Sequence, residues 1–167
     1  YRRQYFIGPN FISKFPNWKK KEISNNIFLT FHPDLEFASA KNKNTTLFLL
    51  GFFFDPNNPN FTNLEILNNI LHHNTSFRDI IKATYSLAGR WALIYSDDKN
   101  KFIFNDPAGT RQIFYSMHND SVWLAAQPHV LAKELNCELD DDPDIQKYIN
   151  SKPYLLWERS WIGNGTP

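Results

Sequence analysis

The sequence has little cysteine, no long apolar run and almost no excess charge, and each shortage excludes a class of protein. Cys137 is the single cysteine, so an internal disulfide is impossible and a reducing compartment is compatible. No apolar stretch approaches the roughly 20 residues of a membrane span, and no charged-then-apolar signal segment opens the chain. The formal net charge of +1 provides no long-range field for nucleic acid or a membrane surface. We therefore expect neither partner, and we expect a cytoplasmic location.

Aromatic and aliphatic residues, in contrast, are abundant. Hydrophobic residues make up 42% of the 167 positions, and aromatic residues alone make up 16%. A chain of this length and composition can bury the core of one domain. We expect residues 1–167 to form a single domain, and the start at Tyr1 and the end at Pro167 suggest a fragment of a longer protein.

The first third of the chain is predicted to contain three strands. Tyr5 to Ile7 is the first, and residues 10–26, rich in Asn, Pro and Lys, are predicted to be a loop whose Lys19-Lys20-Lys21 cluster is solvated rather than a phosphate site. Ile27 to Phe31 is a second short strand. Thr46 to Phe54 is apolar on both faces, which is typical of a central, buried strand.

Helices are predicted on both sides of the later strands. Thr62 or Asn63 can cap a helix that ends near His72, with an apolar stripe of Leu64, Leu67 and Leu71. Ser76 can cap a second helix, with four residues facing inward: Ile80, Ile81, Thr84 and Tyr85. Pro128 is predicted to open a third helix and Pro143 a fourth.

The most informative stretch runs from Gly89 to Ala132. Its turn signals divide it into four strands, which we predict to form one meander: Gly89 to Tyr95, Lys101 to Asn105, Gln112 to Met117 and Ser121 to Ala126. A charged elbow of Asp106, Gly109 and Arg111 separates the second strand from the third. We expect Asp106 to pair with Arg111 or to cap the turn, and Gly109 to adopt a positive φ.

This stretch resembles the amino-terminal glutaminase domain of the asparagine synthetase family. The likeness is carried by Gly89-Arg90-Trp91-Ala92-Leu93-Ile94 and by Asn105-Asp106-Pro107-Ala108-Gly109-Thr110-Arg111-Gln112-Ile113-Phe114-Tyr115, in which Asp106, Gly109, Arg111 and Tyr115 are in register. Weaker matches are Leu47 to Phe54, Thr62 to Leu67 and the final Gly163 to Pro167. Asn105 stands where the family usually has Arg, and Gln112 where it has Pro.

The resemblance implies an α+β fold, the αββα sandwich of N-terminal-nucleophile hydrolases, in which two mostly antiparallel sheets lie between helical layers. It also implies a carboxy-terminal, ATP-dependent synthetase domain as the main partner, with a homo-oligomer as a further option. ATP and Mg would bind only to that absent domain, and this domain would hold no cofactor of its own.

The groups that perform glutamine hydrolysis in the family are replaced here. The nucleophilic amino-terminal Cys is absent because the first residue is Tyr1, and Cys137 has no free amine beside it to activate it. In the oxyanion motif Leu50 replaces Asn, Gly51 is kept and Phe52 replaces Glu. Asn63 replaces the Asp that clamps the substrate amine, and no clear Arg for its carboxylate lies near His32-Pro33.

These losses predict no catalytic residue and a scaffold role in a carbon–nitrogen ligase. Relatives of the family without the Cys, such as β-lactam synthetases and lasso-peptide cyclases, use an internal amine to close a ring. Leu50, Gly51, Phe52 and Asn63 are then degenerate pocket positions, with Phe52, Phe53 and Phe54 making the pocket apolar. Two alternatives remain: an active amidotransferase whose Cys lies upstream of Tyr1, and a non-enzymatic binding module with an apolar cleft at Phe52 and Phe54.

We predict no metal site. The acidic run Asp140-Asp141-Asp142 lacks the spacing, the glycine and the closing glutamate of a calcium loop. The adjacent His72 and His73 diverge by about 100° on a helix, so they cannot chelate one metal together.

Overall fold

Nine strands and three α-helices form the part of the chain that the computed structural model describes, which is residues 2–74 and 76–137 with the single positions 143 and 147. The strands are β1 (Tyr5–Gly8), β2 (Lys19–Ser24), β3 (Ile27–Phe31), β4 (Phe37–Lys41), β5 (Thr46–Phe54), β6 (Ala88–Ser96), β7 (Lys101–Asn105), β8 (Phe114–His118) and β9 (Ser121–Ala125). The helices are α1 (Asn63–His73), α2 (Phe77–Ala83) and α3 (Pro128–Leu135). The helix predicted to follow Pro143, the acidic run at 140–142 and the segment 163–167 lie outside the described residues.

The strands form two antiparallel sheets, so the protein is of the mixed α+β class. One sheet has the order β2-β3-β1-β9-β8, and the other has the order β4-β5-β6-β7. The predicted four-strand meander is therefore wrong, because β6 and β7 belong to one sheet while β8 and β9 belong to the other. The elbow at residues 106–113 carries the chain from one sheet to the other instead of turning it back onto a neighbouring strand.

The side chains of β5 and β6 alternate between two separate apolar clusters. Leu50 and Ile94 face the other sheet, where they pack with residues such as Ile7 and Leu29. Residues of the opposite face pack with the buried side of α1 and α2: Leu47, Leu49, Phe53, Trp91, Leu93 and Tyr95. A third cluster joins α3 to the outer face of the five-stranded sheet through Phe6 and Ala125. Each sheet thus has apolar contacts on both of its faces.

The helices begin where the sequence predicts, and the prediction of their buried faces is confirmed at Leu67, Leu71 and Ile80 but wrong at Leu64 and Tyr85. Thr62 and Ser76 are the N-caps of α1 and α2, and Thr62 and Glu65 form a reciprocal capping box. The buried stripe of α1 consists of Ile66, Leu67, Ile70 and Leu71. Leu64 is exposed because it lies roughly 90° around the helix from the centre of that stripe. Tyr85 is also exposed, since it lies in the short 3₁₀ turn after α2 and points away from the sheet.

Two strands occupy segments for which no strand was predicted. Residues 10–26 are not all loop, because β2 pairs with β3 at the edge of the five-stranded sheet. Lys19, Lys20 and Lys21 lie on this edge strand with exposed side chains, and charged lysines of this kind prevent an edge from pairing with another chain. The short strand β4 at the edge of the second sheet was also missed, and β8 begins at Phe114 rather than Gln112.

The chain passes between the sheets twice in the described residues, at 32–36 and at 106–113, and both crossings lie at the same end of the sheets. Residues 2–4 contact both of them. The His32 amide donates to the carbonyl of Gln4 at 2.9 Å, and Arg2 pairs with Asp34 at 2.8 Å. Arg111 donates to the carbonyl of Arg3 at 3.3 Å. This end of the sheets holds all the predicted site positions. None of the helices described here is both long and apolar enough to cross a membrane.

Candidate functional site

Leu50, Gly51 and Phe52 stand at the end of β5 beside the first crossing. Leu50 is completely buried between the sheets, so its side chain does not reach the solvent. Gly51 has a φ of 107°, and its amide donates to the carbonyl of Glu36 at 2.8 Å. Phe52 keeps 43% of its surface exposed, because β5 extends here past the contacts with the opposite sheet. The side chains at Leu50 and Phe52 offer no hydrogen-bond donor to an oxyanion.

Asn63, at the first turn of α1, lies against this end of β5. Its Oδ1 accepts the Phe53 amide at 2.9 Å. Its Nδ2 donates to the carbonyl of Gly51 at 3.5 Å and to Oε2 of Glu36 at 3.4 Å. The structure therefore brings Asn63 next to Gly51, and it uses both ends of the amide to fix α1 to β5. The contribution of Glu36 was not predicted, since no local motif marks it.

The three consecutive phenylalanines do not share one environment. Phe53 points into the helix-facing core, where its ring lies 5.0 Å from that of Trp91. Phe52 and Phe54 point the other way and are 43% and 46% exposed. The expectation that all three make the pocket apolar is therefore wrong for Phe53, because successive side chains on a strand alternate between faces.

A shallow cleft of about 460 Å³ opens between the first crossing and the start of α1. Its polar lining residues are Lys19, Asp34, Glu36, Thr62 and Asn63. The one hydroxyl among them, that of Thr62, donates to Glu65 at 2.7 Å in the helix cap. Arg2 hydrogen-bonds to Asp34 and lowers the pKa of that carboxyl. The cleft therefore holds charged groups but no activated nucleophile.

The elbow is organised around the buried carboxylate of Asp106. Its oxygens accept the amide of Thr110 at 2.9 Å, the hydroxyl of Thr110 at 2.9 Å and the amide of Arg111 at 2.9 Å. Burial alone would raise the pKa of Asp106, but these hydrogen bonds outweigh it and hold the pKa below its ordinary value. Gly109 has a φ of 65°. Asp106 thus caps the turn, and its carboxylate does not pair with the Arg111 guanidinium.

Two further arginines lie near the elbow, and sequence reasoning missed both of them. Arg90, which pairs with Phe52 across the β5–β6 ladder, donates from Nε to the carbonyl of Thr110 at 3.0 Å. Arg111 reaches the backbone of Arg3, just before β1. Sequence offers no signal for these contacts, since Arg3 and Arg111 are 108 positions apart. The elbow and the degenerate pocket positions consequently share one end of the fold.

No described residue near this end fits the role of a catalytic nucleophile. Residues 2–8 contain no Cys, Ser or Thr, and β1 begins at Tyr5. The phenol of Tyr5 donates to the Gln112 carbonyl at 2.9 Å, and burial raises its pKa. Cys137 lies elsewhere, against the apolar cluster beneath α3. Amide hydrolysis through an acyl-enzyme has no attacking atom among these groups.

Metal ligands do not cluster in the described residues, where no group of three or more His, Cys, Asp or Glu side chains could hold an ion. His72 and His73 are both exposed at the end of α1. Their rings do not diverge as predicted but stack with centroids 4.7 Å apart.

A comparison of the sequence with protein-family models and with curated proteins finds no match.

Proposed function

We propose that this chain is a glutaminase-like domain of an asparagine-synthetase-related protein that has lost glutamine hydrolysis. In this proposal the domain is a scaffold for an ATP-dependent synthetase domain that forms an amide bond. The arrangement of two packed antiparallel sheets with helices on their outer faces is the one expected for an N-terminal-nucleophile hydrolase fold.

The observation that carries the proposal is the convergence of Leu50, Gly51, Phe52 and Asn63 at one end of the sheets. Leu50, Gly51 and Phe52 are consecutive on β5, and α1 brings Asn63, 12 residues after Gly51, against them, which is the proximity that a likeness to the glutamine pocket requires. The same observation argues against hydrolysis. Leu50 is buried and has no donor, and the Asn63 amide is already bonded to Phe53 and Gly51.

The loss of hydrolysis is tested by incubating the purified product of the complete coding region with L-glutamine and measuring ammonia. We expect no release above a protein-free blank, and no heat of glutamine binding by calorimetry. Turnover that is proportional to protein concentration would overturn the proposal. It would support instead the active amidotransferase, which the contacts of Leu50 and Asn63 do not favour.

The scaffold role is tested on the natural gene product, read from its complete coding region. We expect a downstream domain with a Ser-Gly-Gly-x-Asp-Ser nucleotide loop, and ATP–pyrophosphate exchange by the whole product when a carboxylate acceptor is present. A complete coding region with no nucleotide-binding domain would contradict this role and leave the domain without its proposed partner.

A second candidate function, a binding module for an apolar ligand, is favoured by one observation. Phe52 and Phe54 lie on the same face of β5 and are both nearly half exposed. A neutral apolar dye such as Nile red should then bind to the chain and lose most of its signal in the Phe52→Ser/Phe54→Ser double variant. Phe61→Ser, which removes another exposed aromatic ring, is the matched control.

A further inference from the structure

Arg111 is a buried cation that has no anionic partner among the described residues. It is 6% exposed, and its Nη1 donates to the neutral carbonyl of Arg3 at 3.3 Å. Its Nε is buried and has no hydrogen-bond partner. The carboxylates that form ion pairs in the described residues, Asp34 and Glu134, are paired with other cations. The guanidinium therefore forms no ion pair with a described carboxylate, although the Asp106 carboxylate is close enough to attract it.

The nearest carboxylate, that of Asp106, is already engaged. Both of its oxygens accept hydrogen bonds from Thr110 and from the backbone amide of Arg111. Asp106 thus stabilises the turn, and its carboxylate forms no hydrogen bond with the side chain of Arg111. A carboxylate that served Arg111 would instead form a two-point contact with its planar fork.

Other positive charges surround this side chain. Burial lowers the pKa of Arg111, and the nearby charges of Arg90 and Arg3 lower it further, while Tyr5 and Asp106 act in the opposite direction without outweighing these effects. Arg90 is held in place by its bond to Thr110, and Arg3 is the residue whose carbonyl Arg111 contacts. Three arginines therefore lie around one turn, and the single Asp106 carboxylate in that turn cannot balance all three charges, so a further anion would reduce their mutual repulsion.

We propose that Arg111, assisted by Arg90 and Arg3, binds an oxyanion, the carboxylate or phosphate group of a small ligand, at the elbow between the two sheets. A planar guanidinium matches both groups geometrically, and its weak hydration makes it the cation best suited to a buried site. The bound oxyanion would use the free Nε of Arg111 and neutralise the local excess of charge. This inference does not depend on the proposed function, because it rests only on unpaired charge.

The test titrates the full chain with sodium phosphate and, separately, with sodium acetate at constant ionic strength. The backbone resonances of Thr110 and Arg111 and the Arg111 Nε–H resonance are followed by NMR. We expect saturable shifts, and the tighter-binding salt identifies the group that the site prefers. Arg111→Met should weaken binding by at least about tenfold, as the loss of a hydrogen bond to a charged group does. In a chloride buffer without phosphate or acetate, the Arg111→Met variant should unfold at the same temperature as the wild type or at a higher temperature.

Two exposed arginines supply matched variants that leave the fold intact. Arg90→Gln should weaken binding measurably, while Arg78→Gln, on the solvent face of α2, should bind like the wild type. If phosphate raises the unfolding temperatures of the wild type and Arg111→Met equally, the effect is general salt exclusion and the proposal is overturned. An absence of saturable shifts with both salts would also overturn it. If Arg111→Met does not fold, Arg90→Gln compared with Arg78→Gln decides the question.

Discussion

Replacing Gly51 with alanine should destabilise the protein far more than the same change at Gly109. Both glycines have positive φ, 107° and 65° respectively, so alanine is conformationally strained at each. The difference lies in the available space. A Cβ on Gly51 would lie 2.1 Å from the carbonyl oxygen of Arg90 in the paired strand, whereas a Cβ on Gly109 would have Nδ2 of Asn105 at 3.8 Å as its nearest neighbour.

The magnitude follows from these two environments. Forcing a non-glycine residue into the left-handed region costs about 1–2 kcal/mol, which is the whole expected effect of Gly109→Ala. At Gly51 the clash is with backbone and cannot be relieved by a rotamer change, so β5 and β6 must separate locally. We expect a total loss of about 3–4 kcal/mol in the free energy of unfolding.

Urea denaturation followed by tryptophan fluorescence and by far-ultraviolet circular dichroism measures both variants. Trp91, one of five tryptophans in the chain, is buried and lies opposite Gly51 in the ladder, so the total emission includes a reporter of the affected region. Free energies for the two variants that agree within about 1 kcal/mol would refute the reasoning. The expected outcome would mean that Gly51 is retained for the close approach of two strands, whether or not any chemistry remains.

Three further results are expected from the same measurements. Leu50→Asn, which restores an oxyanion donor, should cost about 3–5 kcal/mol because it puts an amide into the apolar core, and it should release no ammonia from glutamine. Phe53→Ala should cost about 3–4 kcal/mol, whereas Phe52→Ala should change stability by less than about 1 kcal/mol. The Tyr95 hydroxyl and then the Asn100 amide lower the pKa of Asp97 from 3.8 to about 2, so its ionised form stabilises the fold above about pH 4 and that contribution disappears as the pH falls towards 2. In Asp97→Asn the free energy of unfolding should fall less steeply as the pH decreases towards 2. A variant that loses as much stability as the wild type over this range would contradict the role given to Asp97.

Local signals in the sequence were sufficient for most individual strands and helices. The Asn119-Asp120 turn, in which both residues have positive φ, joins β8 to β9 as its residue types predict. Thr62 and Ser76 cap their helices because a side-chain oxygen can accept the free amides of a first turn. The edge strands β2 and β4 were not predicted because they lack a long apolar run, whereas the edge strands β7 and β8 were predicted because turn signals flank them.

Which strands would pair could not be predicted from local patterns. Asp106 and Gly109 mark a turn equally well whether the chain folds back or passes to another sheet. The proximity of Asn63 to Gly51 could be predicted, because 12 residues separate them and they lie on the consecutive elements β5 and α1. The proximity of Arg3 to Arg111 could not be predicted, because it depends on how both sheets are arranged.

The placement of both crossings at one end of the sheets determines how the sandwich can open. At that end the chain itself connects the two sheets, and residues 2–4 contact both crossings. This end is therefore the more constrained of the two. At the far end no described segment joins the sheets, and an apolar cavity of about 370 Å³ lies there between Ile7, Ile94 and Leu124. We therefore expect opening motions to be largest at that end, and we expect water and small hydrophobic solutes to reach the interior there first.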